Sequence, residues 1–482
     1  MIGPRIARIG LALAALSLLA PRAFAQGGPS DDEIKKAIEK GVNYLKSQQE
    51  ATGGWEYQFN HDHALGVTAL AGLALLENGV ARDDEVIRKA NEVVHDLALR
   101  SNQTYDISLA ILFLARVEQG ARGPNDELIR RLGYRLSLGE TEGMWSYLLP
   151  KEDERTYQLR QRYYGTRRRQ IYGTRRDGAP DPNAGADQGQ DAADQAPPKQ
   201  TKRRLGGPGD NSNTQFALLG IWAASRHGFD ADETLADIER HFRDSQEGDG
   251  GWGYNLRGGG SPAMTCAGLI GLAIAASRPE LAARETAAAR GAALAADPVF
   301  QRGMAVVEGD ARGIRGRYEV YDLWSLERLC VALGLKKVGR IDWYSDGAAK
   351  LLRLQELDGS WPNGRWGTLP ETCLALLFLR KANLAFEIDR VLRLPDPNAP
   401  VHVASAKPRT PATKPAATVK SDDINVIVHR PDEARFPEVR LDFELRKPDG
   451  SPFLDARQGD ITVKENGEPV DVVRFSSPGG AG

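Results

Sequence analysis

Apolar residues between Asp31 and Leu394 recur every three or four positions, the spacing that lays one buried stripe along a helix. Ile34, Ala37, Ile38, Val42 and Leu45 keep it, and Ser30 with Glu33 ahead of them has the form of a capping box. A helix is therefore predicted from Asp31, ending at the glycines of Gln49-Glu50-Ala51-Thr52-Gly53-Gly54-Trp55. The next stretch, Ala64 to Leu76, is small and apolar on nearly all sides, which marks a buried helix. The alternation repeats: polar-faced stretches such as Asp84–Leu97 and Asp126–Leu136 separate apolar runs beginning near Gly66, Asp106, Asn213, Met264, Asp322 and Glu371. Buried helices are expected near residues 64–76, 106–117, 212–225, 264–276, 322–333 and 371–380. With an insertion after Tyr147 set aside, the runs lie about 40 to 60 residues apart, the period of one helical hairpin. Six hairpins closed into a ring leave no end repeat that needs a polar cap. The predicted fold is mainly α, an (α/α)6 toroid over residues 26–394.

Three connections share the pattern Gln-x-x-x-Gly-x-Trp: Gln49, Gly53 and Trp55; Gln246, Gly250 and Trp252; Gln355, Gly359 and Trp361. A fourth keeps Gly143 and Trp145 but has Gly139 in place of the glutamine. Gln at a helix end supplies an amide for carbonyls left free there, Gly permits the turn, and Trp buries a large face between hairpins. The motif resembles the QW repeat of the squalene-hopene cyclase and protein-prenyltransferase repeat superfamily, over roughly Asp31 to Leu394. That resemblance implies the terpenoid cyclase-like α/α toroid, and as a structural staple it says little of chemistry.

Elsewhere the helical pattern breaks. Residues 151–209 pass from Arg160, Arg162, Arg167 to Arg169, Arg175 and Arg176, with Tyr163, Tyr164 and Tyr172, into an Asp/Ala/Pro/Gln stretch. So little apolar content predicts a disordered insertion. Residues 395–422 are a Pro/Ala-rich linker, stiffened by its prolines. In 423–482, alternation at Ile424–His429, Val439–Leu445, Ile461–Glu465 and Val470–Phe475 predicts strands, and Asn466-Gly467 a hairpin turn. This small all-β, sandwich-like module resembles, weakly, the β-rich segment preceding some bacterial von Willebrand A-related domains. It carries no Asp-x-Ser-x-Ser metal motif. At the other end, Arg5 and Arg8, the apolar run Ile9–Ala20 and Ala23-Phe24-Ala25 have the form of a signal peptide cleaved after Ala25. Export to the periplasm or beyond is expected, with no transmembrane segment after cleavage.

The 482 residues carry 63 basic and 65 acidic side chains, a net charge of −2, which argues against a nucleic-acid partner. Cys266, Cys330 and Cys373 lie far apart in apolar patterns, as buried thiols do.

Candidate chemistry gathers at the starts of the apolar helices. Class II triterpene cyclases, within the resembled superfamily, protonate an alkene with the central Asp of Asp-x-Asp-Asp-Thr. The matching place here is Asp210-Asn211-Ser212-Asn213-Thr214, with Ser212 where the proton donor should stand. A hydroxyl cannot protonate an alkene, so cyclase activity is not expected, and Asp210 is left as a weak catalytic candidate with helix capping as its simpler job. Protein prenyltransferases bind zinc through Asp-x-Cys and a distant His. The nearest match, Glu371-Thr372-Cys373 with His61 or His63, reads instead as a capping Glu and a buried Cys. No metal or other cofactor is expected. In a toroid all inner helices point one way, so Asp106, Asp210, Asp322 and Glu371 should crowd one mouth of the ring. With Asn213, Tyr321 and Trp324, and with Tyr105, Trp343 and Tyr344 as aromatic walls, they are the ligand-binding candidates. The favoured reading is a ring without cyclase activity that binds a peptide, polymer, lipid or other envelope component or hydrophobic small molecule. The alternatives are a terpene cyclase or mutase, an isomerase acting on a polyprenoid, and an envelope protein binding through its β module.

Overall fold

In the computed structural model, helix α1 (Asp31–Ser47) begins on the expected capping box: the Glu33 amide donates to the Ser30 hydroxyl at 3.3 Å, and the Ser30 amide to the Glu33 carboxylate at 3.0 Å. The structure describes residues 28–56, 63–119, 123–151, 207–255, 258–282, 284–362, 365–382 and 392–394, a few isolated positions near these, and the strands of a separate C-terminal unit. The expected signal peptide and linker lie outside the described residues. The chain divides into units Met1–Ala399 and Pro400–Gly482.

The described residues of the first unit are mainly helical. After α1 come α2 (Ala64–Glu77), α3 (Glu85–Ala98), α4 (Thr104–Val117), α5 (Asp126–Gly139), α6 (Asn211–Arg226) and α7 (Asp232–Asp244). Then follow α8 (Pro262–Ala276), the short α9 (Pro279–Ala282) and α10 (Ala287–Ala296), α11 (Pro298–Ala311), α12 (Val320–Ala332), α13 (Trp343–Leu354) and α14 (Thr368–Arg380). The apolar helices α2, α4, α6, α8, α12 and α14 pack each on the next, and α14 packs back on α2, which closes a ring of six. Amphipathic α1, α3, α5, α7, α11 and α13 surround it, α3 against α2 and α4, α5 against α4 and α6, α1 against α14 and α2. This is the predicted (α/α)6 toroid. Sequence and architecture agree because an all-round apolar helix can be stable only where both of its faces are covered.

The Gly-x-Trp connections hold the ring together. Gly53, Gly143, Gly250 and Gly359 adopt φ between 76° and 95°, open to glycine at no steric cost. The indole N–H groups of Trp55, Trp145, Trp252 and Trp361 donate to the carbonyls of Leu45, Leu136, Phe242 and Leu351 at 2.7–2.9 Å, satisfying the free end of the preceding outer helix. Their backbone amides donate to Thr68, Thr214, Thr265 and Thr372 on the following inner helix. The glutamines were expected to satisfy the helix end, but the tryptophans do that. Each Gln spans its own turn and reaches the next outer helix: Gln49 to Gly53 and Val86, Gln246 to Gly250 and Val299, Gln355 to Gly359 and Ala37. The Gln355–Ala37 bond ties the last hairpin to the first. At the fourth turn Glu140 substitutes from inside the turn, accepting the Gly143 amide at 2.6 Å.

The expected insertion begins later than its composition suggests. Tyr157 is buried beside Tyr134 and donates to Glu127 at 2.5 Å, while Arg131 pairs with Glu154. Residues 159–204 lie outside the described set. On either side, single bridges pair Leu148 with Leu205 and Trp145 with Asp210, so both ends meet at one turn.

In the C-terminal unit, β1 (Asn425–Val428) pairs antiparallel with β4 (Phe443–Arg446), β2 (Asp432–Arg435) with β3 (Glu438–Arg440), and β5 (Val463–Glu465) with β6 (Glu468–Val470). Glu465 pairs with Glu468 on either side of the predicted Asn466-Gly467 turn, which itself lies outside the described residues. The stretch expected as one strand at Val439–Leu445 is split between β3 and β4, which serve different partners.

Candidate functional site

Alternating outer and inner helices makes the six inner helices parallel, so their first turns share one mouth of the ring. There the Tyr105 hydroxyl donates to Ser212 at 2.7 Å, Ser212 and the Tyr321 hydroxyl are 2.7 Å apart, and Gln215 donates to Tyr321 at 2.7 Å. These residues belong to α4, α6 and α12; α6 and α12 are not neighbours in the ring, so the bonds span its axis. Below them, Phe216 lies 4.9 Å from the Tyr105 ring and 5.0 Å from Trp324. Phe216 is 5 % exposed and Trp324 0 %. The inner helices are buried on their axial faces as fully as on their outer ones, so side chains fill the middle of the ring.

Two exposed tyrosines stand above. Tyr147 and Tyr254 are 43 % and 39 % exposed, their hydroxyls 2.6 Å apart, and the Tyr147 ring lies 6.0 Å from Tyr105. Trp366 lies 6.0 Å from Tyr321 on the α14 side. Together they give the mouth an amphipathic aromatic rim, suited to apolar surface with hydroxyl or amide groups along it.

The acids play separate parts. Asp210 is the N-cap of α6, accepting the Asn213 amide at 2.7 Å and the Asn213 side chain at 2.8 Å, one on each carboxylate oxygen. Burial raises its pKa, while those bonds and the neighbouring Tyr254 hydroxyl favour the charged form. Asp106 and Asp322 do not cap their own helices as N-caps; each is the third residue of its helix. Asp106 takes His63 at 3.0 Å and Ser101 at 3.3 Å, away from the tyrosines. Asp322 accepts the Glu319 amide at 2.9 Å. Burial raises both. Glu371 is 2 % exposed, its Oε2 has no partner, and burial pushes its pKa up to about 7, with the Trp366 amide alone favouring the charged form.

The mouth therefore brings together Asp210, Asn213, Tyr321 and Trp324 with Tyr105, while Glu371 sits on α14, Asp322 turns to the Ala263 amide of α8 and Asp106 to His63 at the start of α2. Trp343 and Tyr344 are not part of it: they sit on outer helix α13, bonded to Leu335 and Leu379 at the far ends of α12 and α14. Tyr147, Tyr254, Phe216, Gln215 and Trp366 were not anticipated. A signal for the first two existed, since each stands two residues after its turn tryptophan, in Trp145-Ser146-Tyr147 and Trp252-Gly253-Tyr254. Cys266, Cys330 and Cys373 are buried and free, as expected. Among the described residues no group of His, Cys, Asp and Glu could hold a metal ion; His63 is engaged with Asp106, and His61 lies outside the described set. Nor is any described helix long and apolar enough to cross a membrane.

No protein-family model matches this chain, and no curated protein does either. Among solved structures it is similar to the type II terpene cyclase MstE from Scytonema, at 14% identity and a TM-score of 0.42, over 73% of this chain and 99% of that one. A variant of the same enzyme in complex with geranylgeranyl dihydroxybenzoate gives 12% and 0.41, over 73% and 97%. The ent-copalyl diphosphate synthase from Streptomyces platensis gives 12% and 0.21, over 74% and 95%. The toroid rests on the helix contacts above and not on these superpositions.

Proposed function

We propose that the toroid is a binding module with terpenoid cyclase-like architecture and no polyene-cyclising chemistry, and that its ligand docks on the aromatic rim of the mouth. One observation carries this reading. Ser212 stands where a proton donor is required, and both oxygens of Asp210 are occupied by N–H donors. Protonating an alkene needs an acid whose O–H is free and aimed at the double bond. Asp210 has neither property, and the axial space such a substrate needs is filled by Phe216 and Trp324. The QW-type staples then serve as ring fasteners alone. The ligand class proposed is a peptide, polymer or lipid of the cell envelope, reached by export of the chain after cleavage at Ala25.

Incubation of the purified chain with squalene and with a shorter polyprenoid, analysed by mass spectrometry, tests this directly. No cyclic product is expected. Cyclic product that disappears in Asp210→Asn would overturn the reading. A second reading, a terpene cyclase or mutase, has one observation in its favour: Glu371 is a buried acid with a free oxygen and a pKa near 7. Product lost in Glu371→Gln and kept in Asp210→Asn would establish it.

A further inference from the structure

Arg328, the ninth residue of α12, is 2 % exposed in the interior of the ring, and its guanidinium carbon lies 3.6 Å from the centroid of the Trp324 ring. Its Nε and Nη1 have no hydrogen-bond partner, and Nη2 has only the Ser325 hydroxyl at 3.3 Å. The Trp324 indole N–H beside it is also without a partner. Adjacent Glu327, 0 % exposed, makes no bond through either carboxylate oxygen and is not paired with Arg328. The ionisable groups whose charges reach Arg328 are Tyr321, Glu327 and Cys266. Burial pushes the pKa of all three up, against the pull of the Arg328 charge on Glu327.

A guanidinium in such surroundings is a lone positive charge in a dry interior. Removing an ion from water is costly unless a partner compensates it, and each buried donor left unmade adds to that cost. Stacking on Trp324 returns only part of it. The donor set is one-sided as well: guanidinium and indole N–H groups, with no acceptor among them, are complementary to an anion.

We infer that Arg328 and the Trp324 indole N–H form a site on the ring axis for an oxyanion, a carboxylate or a phosphate group. The planar guanidinium fork suits both. Phe216 and Trp324 stand between the site and the tyrosine mouth, so an anion enters when those rings part. The site does not depend on what the rim binds or on whether any substrate is cyclised.

The purified full chain, dialysed into a zwitterionic buffer, would be titrated by calorimetry and by thermal melting with inorganic phosphate, acetate and dodecyl phosphate. Sodium chloride at matched ionic strength is the control. The expected result is a saturable rise in Tm with phosphate or acetate that chloride does not reproduce. Trp324→Phe, which keeps the ring and removes one N–H, should weaken binding about tenfold. Arg328→Met should abolish the response and, with no anion present, melt at or above the wild-type temperature, because it removes an uncompensated charge. Response to dodecyl phosphate alone would identify a lipid head group as the source of the same chemistry. Arg328→Lys, which keeps the charge and loses the planar fork, should give a weakened response. The inference is overturned if no oxyanion acts beyond chloride, if the Arg328 variant responds as wild type does, or if Arg328→Met melts well below wild type without anion, as a purely structural arginine requires.

Discussion

Replacing Trp252 by Ala tests the fastening of the ring at its most regular point. The side chain is 0 % exposed, and its N–H donates to the Phe242 carbonyl at 2.9 Å. Truncating a buried Trp costs about 3–5 kcal/mol, the larger values arising where neighbours cannot fill the void. Here they cannot. Two of the walls are glycines: a methyl group on Gly268 would lie 2.5 Å from the indole and one on Gly303 2.8 Å, and neither residue has a side chain to swing inward. The Phe242 carbonyl also loses its donor, about 1 kcal/mol. The expected loss is therefore about 5 kcal/mol, comparable to the whole stability of many domains. Urea unfolding followed by far-UV circular dichroism measures it, with Trp252→Phe as the companion variant. Phe restores most of the volume and only the hydrogen bond is lost, so about 1–2 kcal/mol is expected. A loss below about 1 kcal/mol for the Ala variant, or equal losses for the two, would refute the account of Trp252 as a packed and bonded fastener.

Gln246→Ala should cost about 1–2 kcal/mol in the same assay, since two carbonyls, of Gly250 and Val299, lose their donor at once. Gly143→Ala should be damaging, because its new methyl group would stand 2.3 Å from the Asp237 carbonyl at a φ of 76°; expression yield and Tm should both fall. Glu371, pushed up to about 7, holds its proton more tightly folded than unfolded. Its contribution is full below its unfolded value of 4.5 and is lost as pH rises toward 7, by up to about 3 kcal/mol, so Glu371→Gln should flatten the decline in Tm over that window.

The architecture was legible because each layer of the ring writes its own pattern. Inner helices such as Ala64–Glu77 and Pro262–Ala276 are apolar on every face, outer ones such as Asp84–Leu97 on one, and Gly-x-Trp turns mark four of the six changes from outer to inner helix. Boundaries came within about three residues because Ser30 and Asp210 announce the helix starts through their own caps. Composition misplaced the start of the insertion, since one aromatic, Tyr157, outweighs the charged residues around it once Tyr134 offers a surface. It also merged two short strands at Val439–Leu445, whose alternation shows a pleat but not the partner to which each half is bonded.

The site was less legible, for a reason set by the ring itself. The hydroxyl chain joins Tyr105, Ser212 and Tyr321, more than 100 residues apart at each step, and no local spacing encodes an encounter across an axis. Acids at helix starts could be found from the pattern, yet the pattern cannot tell which amide each will meet: Asp210 caps its own helix, while Asp106 turns to His63. Arg328 is the extreme case. In the sequence, Glu327-Arg328 is an unremarked charged pair in an apolar helix, such as commonly faces solvent or neutralises itself. Only in the closed ring do both side chains prove buried and unpaired, so the need for a counter-ion is a property of the toroid and not of either residue.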